Sequence, residues 1–333
     1  MKKRVRAGES VLKQLWLFKQ INSDLQQVEK ELTKFVETDY PILQDSAIHL
    51  LSAGGKRLRP AFTLLAGKFY GYSMEKLMPV AMALELIHMS SLVHDDVVDA
   101  SMTRRGRPTV KAKWGNIVSI KTGDYLFAKS LVLISKIDHP EVSRILAEIS
   151  VEMCQGEIQQ IKSSFDVEQN LKQYYYRIKR KTALLISACC KLGALVSEAP
   201  TRQVWALGAY GHSLGMAFQI VDDVLDITAK PSEFGKPIGG DLRQGIMTLP
   251  MILALKQTSE PARLRILLRK IDKTDAEVTE TIEVIKATRA IDESMLLVEL
   301  YVKKAKKHLQ DLPDIPTRKA LEDLADFIRV RKF

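Results

Sequence analysis

Apolar positions along this chain recur at intervals of three and four residues, the spacing that puts them on one face of an α-helix. Leu25, Val28, Leu32 and Phe35 show this spacing within a helical pattern from about Val11 to Leu51. Further helical patterns cover residues 60–70, 78–99, 117–137, 140–163, 174–196, 203–227 and 275–333. Short alternating strand patterns dominate nowhere. The sequence therefore predicts an all-α fold of about ten or more helices in one domain.

Two of these helical patterns contain the acidic motif Asp-Asp-x-x-Asp. The first cluster is Asp95, Asp96 and Asp99, and the second is Asp222, Asp223 and Asp226. At this spacing the carboxylates share one helix face, where they repel each other and lose hydration at a cost. A single copy of this motif is more often a solvated helix end, but two copies in apolar surroundings favour a common function. Mg²⁺ prefers such oxygen ligands and bridges them to phosphates, so the clusters predict a clamp for a diphosphate with several Mg²⁺ ions.

Basic residues in or beside loops accompany the acidic clusters. They are Lys56, Arg59, Arg104, Arg105, Lys181 and Lys236. Each of these alone is more readily read as a surface charge. Arginine binds phosphate oxygens well, so together with the acidic clusters these cations predict two anionic substrates.

Composition narrows the class of protein further. The chain has 333 residues, of which 46% are hydrophobic and 27% charged, as in a soluble globular protein. Its formal charge of +10 suits nucleic acid, an anionic membrane surface or a phosphorylated substrate equally. The three cysteines are odd in number, two of them are adjacent and none has zinc-ligand spacing, so a reducing, cytoplasmic setting is expected. No uncharged apolar stretch of about 18 residues occurs, so no transmembrane helix is expected. We expect the basic head, residues 1–8, to be disordered, with a contact to an anionic membrane as the alternative.

Six motifs follow one another in a recognisable order. They are Gly54-Gly55-Lys56-Arg57-Leu58-Arg59-Pro60, His94-Asp95-Asp96-Val97-Val98-Asp99, Arg104-Arg105-Gly106-Arg107-Pro108-Thr109, Lys181-Thr182, Phe218-Gln219-Ile220-Val221-Asp222-Asp223-Val224-Leu225-Asp226 and Gly235-Lys236-Pro237. In these motifs, over nearly its whole length, the chain resembles the trans-isoprenyl diphosphate synthases. The resemblance implies the isoprenoid synthase fold, a single domain over residues 1–333 with its helices around a central cavity, and prenyltransferase activity.

The resemblance also assigns roles to the motif residues. It implies that Asp95, Asp96, Asp99, Asp222 and Asp223 hold Mg²⁺ on an allylic diphosphate, with Asp226 acting through water. It implies that Arg104, Lys181 and Lys236 contact the same diphosphate. For isopentenyl diphosphate it implies a site made of Gly55, Lys56, Arg59, His88 and Arg105. Finally, it implies that Thr182, Phe218 and Gln219 line the reacting carbons.

The chemistry expected from these roles is driven by charge. Loss of the diphosphate leaves an allylic cation, the double bond of isopentenyl diphosphate attacks it, and a proton is lost. In the family the departing diphosphate accepts this proton, so no side-chain base is required. His94 is therefore expected to be a hydrogen-bonded helical histidine rather than an acid–base group.

Product length is expected to depend on the helix that precedes the first acidic cluster. One helical turn rises about 5.4 Å, comparable to one isoprene unit. Ser90 and Ser91 lie one turn before Asp95, where short-chain relatives carry bulky aromatic residues. An open position here predicts a long product, with Ile87 next along the tunnel. The alternative is that both serines are ordinary small packing residues.

Within the family, the sequence resembles most the large catalytic subunits of synthases that make heptaprenyl diphosphate, judging from the segments Ile87-His88-Met89-Ser90-Ser91-Leu92-Val93, Lys111-Ala112-Lys113-Trp114 and Arg331-Lys332-Phe333. This implies stepwise addition of isopentenyl diphosphate to farnesyl diphosphate for a menaquinone side chain. It also implies a heterodimer with a small regulatory subunit, and at most a transient membrane-surface contact for product release. A homodimeric synthase making a hexaprenyl, octaprenyl, solanesyl or other long chain is the main alternative.

Three other classes of protein fit less well. A class I terpene cyclase usually has Asn, Ser or Thr with Glu in its second metal motif, whereas this chain has Asp222, Asp223 and Asp226. A nucleic-acid-binding protein is not expected, because no recognised motif is present and the acidic clusters would repel phosphates without metal. A purely structural subunit would not need intact acidic clusters.

Overall fold

The structure is a computed structural model that describes residues 16–55, 57–229 and 238–330. Over these residues it is helical, apart from one short β-hairpin and the connecting turns. The α-helices are α1 (Asn22–Phe35), α2 (Pro41–Ser52), α3 (Leu58–Gly67), α4 (Met74–Val98), α5 (Val110–Ile134), α6 (Pro140–Lys162), α7 (Leu171–Ile178), α8 (Leu184–Val196), α9 (Thr201–Thr228), α10 (Gly240–Gln244), α11 (Leu249–Gln257), α12 (Pro261–Arg269), α13 (Asp275–Lys286), α14 (Ala290–Leu309) and α15 (Pro316–Val330). The predicted all-α class and the number of helices are confirmed.

The chain divides into two compact units. The first comprises the described residues through Ala147 together with Ala188–Gly208 and Leu309–Leu324. The second comprises Glu148–Ser187, Ala209–His308 and the described residues from Ala325 onward. The first acidic cluster belongs to the first unit, and the second acidic cluster belongs to the second unit.

Helix α4 is the core of the first unit and packs along α3 and α5. It buries every residue from Val80 to Ile87, as expected for a helix that is apolar on all sides. Length and hydropathy alone would let α4 cross a membrane, but 67% of its most apolar window is buried inside the protein. Core helices of globular proteins pass the same test, and the buried share of α4 is that of a core helix.

The segment after α4 is a hairpin where the sequence predicted only a loop. Strand β1 (Thr103–Arg104) pairs with β2 (Arg107–Pro108) in antiparallel register. The two turn residues, Arg105 and Gly106, have φ of 54° and 71°, as a two-residue hairpin turn of type I′ requires. Thr109 then caps α5 by accepting a hydrogen bond from the backbone N–H of Ala112 at 3.0 Å. This tight return sets Arg104 and Arg105 next to the end of α4.

In the second unit, one turn of π-helix (Lys179–Ala183) joins α7 to α8. A Cβ added at Gly156 would lie 2.8 Å from Arg180 Cβ, and one at Gly215 would lie 2.6 Å from Ala183 Cα. Glycine at these two positions, on α6 and α9, therefore allows close approach to the turn. Single π-turns inside helices often mark functional sites, and this one carries Lys181 and Thr182.

Candidate active site

The first acidic cluster ends α4 and meets the hairpin through Arg104. Asp96 is almost fully buried, and its Oδ1 accepts hydrogen bonds from Arg104 Nε at 2.9 Å and Nη2 at 2.8 Å. Asp95 and Asp99 are partly exposed one turn apart. A guanidinium thus offsets one carboxylate of the cluster, while the other two lie where a hydrated cation could reach them. The structure therefore brings Arg104 into direct contact with the first acidic cluster, while its predicted contact with the diphosphate stays a prediction.

His94 has the ordinary structural role that the sequence favoured. Its Nε2 lies 3.4 Å from Asp124 Oδ1 and 3.3 Å from the backbone oxygen of Ile120 on α5. The side chain also packs against Gly123, where a Cβ would clash with the imidazole. His94 therefore ties α4 to α5.

A small pocket rich in arginine lies in the first unit beside α4. Its lining residues are Leu50, Ala53, Arg57, Glu85, His88, Met89, Leu92, Arg104 and Arg105. A Cβ at Gly55 would lie 2.5 Å from Arg105 Nη1. The guanidinium of Arg105 therefore packs directly against Gly55 in the glycine pair Gly54-Gly55. The structure thus brings together three residues predicted to bind isopentenyl diphosphate, namely Gly55, His88 and Arg105.

Burial, together with the neighbouring arginines, lowers the pKa of two side chains in this pocket. The pKa of His88 falls well below 6.5, first through burial and then through Arg59, Arg105, Arg104 and Arg57. The pKa of Arg105 falls to about 10, first through loss of solvent around its guanidinium; Glu85 raises this pKa, and Arg57, Arg104 and Arg59 lower it. His88 is therefore neutral at physiological pH, and the pocket favours an anion.

Arg57 organises the wall of this pocket and was not assigned a role from the sequence. It is buried in a left-handed conformation with φ of 45°. Its guanidinium donates to Glu85 Oε1 at 3.0 Å, Glu29 Oε1 at 3.1 Å and the backbone oxygen of Leu51 at 3.0 Å. Although burial alone lowers it, the pKa of Arg57 is raised overall by Glu85 and Glu29. These bonds tie α1, α2 and α4 to the start of α3.

In the second acidic cluster, hydrogen bonds hold both buried carboxylates. Asp223 accepts from Tyr174 Oη at 2.7 Å and from Gln219 Nε2 at 2.9 Å. Asp226 accepts from the backbone N–H groups of Gly240 at 3.0 Å and Asp241 at 3.1 Å. Asp226 thus anchors the start of α10, and its predicted action through water stays a prediction.

The protein alone disfavours negative charge on the two buried carboxyls of this cluster. Burial, and then the charge of Asp241, raises the pKa of Asp223 to about 7 and that of Asp226 to about 8. No set of three His, Cys, Asp or Glu side chains among the described residues is already arranged to hold a metal ion. These oxygen donors nevertheless fit a hard divalent cation such as Mg²⁺, because its charge would stabilise their ionised form. Asp222, half-buried on the same helix, is the cluster residue most open to one.

The π-turn presents the predicted Lys181 and Thr182 differently. Lys181 Nζ pairs with Glu157 Oε1 at 2.9 Å and also donates to Gln160 Oε1 at 3.3 Å. Thr182 Oγ1 donates to Gln219 Oε1 at 2.6 Å. The predicted pair Thr182 and Gln219 is therefore in direct contact, and the half-buried Phe218 precedes Gln219 on α9.

The structure separates the roles of the two serines before Asp95. Ser90 is buried and donates to the backbone oxygen of Gly123 at 2.9 Å, joining α4 to α5. Ser91 is only half-buried, and its hydroxyl donates back to the His88 carbonyl oxygen at 2.8 Å. For Ser90 the packing alternative therefore gains support, whereas Ser91 is only half-buried and bonds within its own helix. Ile87 is buried in the core of α4.

Two predicted cations, Lys56 and Lys236, lie outside the described residues, as does the basic head. Sequence reasoning missed Arg57, Glu85 and Tyr174. Glu85 could have been found as a lone acid inside an apolar helix, three residues before His88. Tyr174 stands in a run of three tyrosines and carries no comparable signal.

Comparison with known proteins defines the family. The sequence profile of the Polyprenyl synthetase family matches residues 40–285. Heptaprenyl diphosphate synthase component 2 from Bacillus subtilis is 47% identical over 94% of this chain and 89% of that protein. The crystal structure of a heptaprenyl diphosphate synthase from Staphylococcus aureus superimposes with a TM-score of 0.89 and 36% identity, covering 94% of this chain and 99% of the other. The crystal structure of a polyprenyl synthase from Caulobacter crescentus, complexed with calcium and isoprenyl diphosphate, superimposes with a TM-score of 0.92 and 34% identity. This match covers 95% of this chain and 97% of the other.

This chain belongs to the polyprenyl synthetase family. It is a prenyltransferase with the all-α fold of the isoprenyl synthases. The family resemblance predicted from its motifs is confirmed.

Proposed function

We propose that this chain is the catalytic subunit of a heptaprenyl diphosphate synthase, which adds isopentenyl diphosphate units to farnesyl diphosphate with Mg²⁺ as cofactor. The observation that carries the proposal is that both acidic clusters are intact in a chain 47% identical to a heptaprenyl diphosphate synthase component 2. The arginine-rich pocket supports it, because a neutral His88 among several guanidinium groups suits a diphosphate. We propose a quinone side chain of the menaquinone type as the use of the product.

The charge of each residue then indicates its role in the reaction. Arg59, His88 and Arg105 bind isopentenyl diphosphate, and Lys181 draws the allylic diphosphate toward the π-turn. Asp95, Asp96, Asp99, Asp222 and Asp223 would hold divalent cations, which would supply positive charge to offset that of the departing diphosphate. Thr182 and Gln219 turn oxygen atoms toward the electron-poor carbon. The proton is lost to the departing diphosphate, so these residues bind and orient without acting as a base.

Incorporation of radiolabelled isopentenyl diphosphate tests the proposal directly. With farnesyl diphosphate and Mg²⁺, the complete enzyme is expected to make a product of seven isoprene units. A chelator should stop the reaction, and added Mg²⁺ should restore it. Absence of any elongated product would sink the proposal, whereas longer chains would indicate one of the homodimeric long-chain synthases.

Activity is expected to depend on a second, small subunit. The name of the Bacillus subtilis relative, component 2, supports this part of the proposal. The purified chain alone should therefore show little or no synthesis of long products, and co-expression with the small subunit should restore it. The measurement is prenyl transfer by the chain alone and after mixing, with its oligomeric state followed by light scattering. Full activity of the isolated chain would instead establish a homodimer.

Ser91→Phe is expected to shorten the main product by at least one isoprene unit. Ser91 is half-buried one turn before Asp95, so a phenyl ring there would block a chain that extends along α4. Ser91→Ala is the matched control and should leave product length unchanged. Ser90 is the poorer site, because its hydroxyl bonds to Gly123 and a larger side chain would force α4 from α5. Mass spectrometry of the product alcohols gives the lengths, and an unchanged profile in Ser91→Phe rules out the tunnel.

A further inference from the structure

A continuous chain of hydrogen bonds crosses the second unit from α7 to the π-turn. Tyr174 Oη lies 2.7 Å from Asp223 Oδ2, and Gln219 Nε2 lies 2.9 Å from Asp223 Oδ1. At the other end of the amide, Gln219 Oε1 lies 2.6 Å from Thr182 Oγ1. These four side chains, hereafter the Tyr174 relay, belong to three elements that meet only in the folded protein.

The chemistry of the groups fixes the direction of every bond in the relay. As a metal ligand Asp223 must be ionised, and an ionised carboxylate only accepts, so in this form both the Tyr174 hydroxyl and the Gln219 amide donate to Asp223. The opposite amide orientation would place the Gln219 oxygen against a carboxylate oxygen, which is repulsive. With its NH₂ turned to Asp223, Gln219 leaves only its carbonyl oxygen for Thr182. The hydroxyl proton of Thr182 is therefore committed, and only its lone pairs face away from the relay.

Packing holds the first member of the relay in place. The ring of Tyr174 is fully buried, and the Arg177 guanidinium lies 5.6 Å from its centroid. Arg177 is itself fixed by the backbone oxygen of Met247 at 2.6 Å and by Gln169 Oε1 at 3.2 Å. A buried tyrosine hydroxyl with one acceptor has little freedom to turn, so the donor into Asp223 is permanent.

We propose that Tyr174 is a positioning residue for prenyl transfer, acting through Asp223 and Gln219 to aim the lone pairs of Thr182 at the reacting carbon. This rests on the proposed function, in which Thr182 lines the reaction site. An oxygen that cannot turn its proton toward the developing cation stabilises positive charge without reorganising during the reaction. Tyr174 itself touches no substrate atom in this mechanism.

Tyr174→Phe in the complete enzyme should lower kcat about 10- to 100-fold, the value of one hydrogen bond to a charged group. The KM for both diphosphates should stay within about twofold, because no group that binds them is removed. Tyr175→Phe is the matched control, since it deletes the hydroxyl of the partly buried neighbour on the same helix, and its kcat should stay at the wild-type value. A parallel rise of KM and fall of kcat, together with a lower melting temperature, would make Tyr174 merely structural and overturn the proposal.

A double-mutant cycle tests the connection itself. If the relay is one unit, Thr182→Val should lower kcat by a much smaller factor in the Tyr174→Phe variant than in the wild type, although the two residues are not in contact. Gln219→Leu breaks the relay at its centre and should show the same coupling to Thr182→Val, which keeps the test available if Tyr174→Phe does not fold. Additive losses in these cycles would overturn the relay.

A second readout is independent of catalysis. In the metal-free protein labelled with ¹⁵N-glutamine, Tyr174→Phe should shift the side-chain amide resonances of Gln219, and Tyr175→Phe should not. An unmoved Gln219 amide overturns the relay even if the wild type synthesises long chains. Conversely, a wild-type complex without prenyl transfer sinks the proposed function, while the shifted amide still establishes the connection from Tyr174 to Gln219.

Discussion

Asp95→Ala is expected to lower kcat for prenyl transfer by about 10²- to 10³-fold, the range found when one preorganised group that stabilises developing charge is removed. Asp95 is partly exposed on the face of α4 that also carries Asp99. Its loss removes a hard oxygen ligand without opening a cavity in the core, so the protein should still fold. The reaction would then lose a divalent cation from the departing diphosphate, and the Mg²⁺ concentration for half-maximal rate should rise.

Asp45→Ala is the control for this variant, because Asp45 is an exposed aspartate on α2 in the same unit. It makes the same change of charge and should leave both kcat and the Mg²⁺ requirement at wild-type values. The two variants are compared in the complete enzyme over a Mg²⁺ titration with isopentenyl diphosphate saturating. Equal, wild-type rates for both would contradict a role for the first acidic cluster and favour a structural subunit.

The helices were predictable where apolar spacing and helix ends agree. The pattern placed at 203–227 became α9, Thr201–Thr228, and the one at 140–163 became α6, Pro140–Lys162. In both cases the apolar stripe is long and a proline stands near its beginning, so little competes with a helix. Periodicity cannot show the π-turn at Lys179–Ala183, because the segment from Lys179 to Thr182 is polar and has no apolar position that would mark a change in the helical phase.

Residue type and spacing predicted the acidic clusters and the neighbouring cations, since these lie within single motifs. The Arg57 network could not be found this way, because Glu29 and Glu85 each lie 28 residues from Arg57 in the chain. The three tyrosines from 174 to 176 are alike in sequence, yet Tyr174 is buried and Tyr176 is exposed. Partners brought together by tertiary packing therefore decided which residues support the site.

Glu85→Ala is expected to destabilise the protein by about 3–5 kcal/mol, the cost of removing one partner from a buried ion pair. The side chains of Glu85 and Arg57 are only 4% and 7% exposed, and their charged atoms are 3.0 Å apart. Without Glu85, the guanidinium of Arg57 stays in the core with its charge only partly compensated. The midpoint of urea unfolding of the metal-free protein measures the loss, with no need for substrate.

The other carboxylate on the same guanidinium gives a matched control. Glu29 pairs with Arg57 at 3.1 Å but is 52% exposed, so Glu29→Ala should cost under about 1 kcal/mol. Glu85→Gln should fall between the two, because its amide oxygen can still accept from Arg57 although the charge is gone. If Glu85→Ala and Glu29→Ala shifted the midpoint equally, burial would not be what makes Glu85 matter. The expected order of stabilities instead means that Arg57, buried in its left-handed conformation beside the pocket, needs the buried charge of Glu85 as its partner.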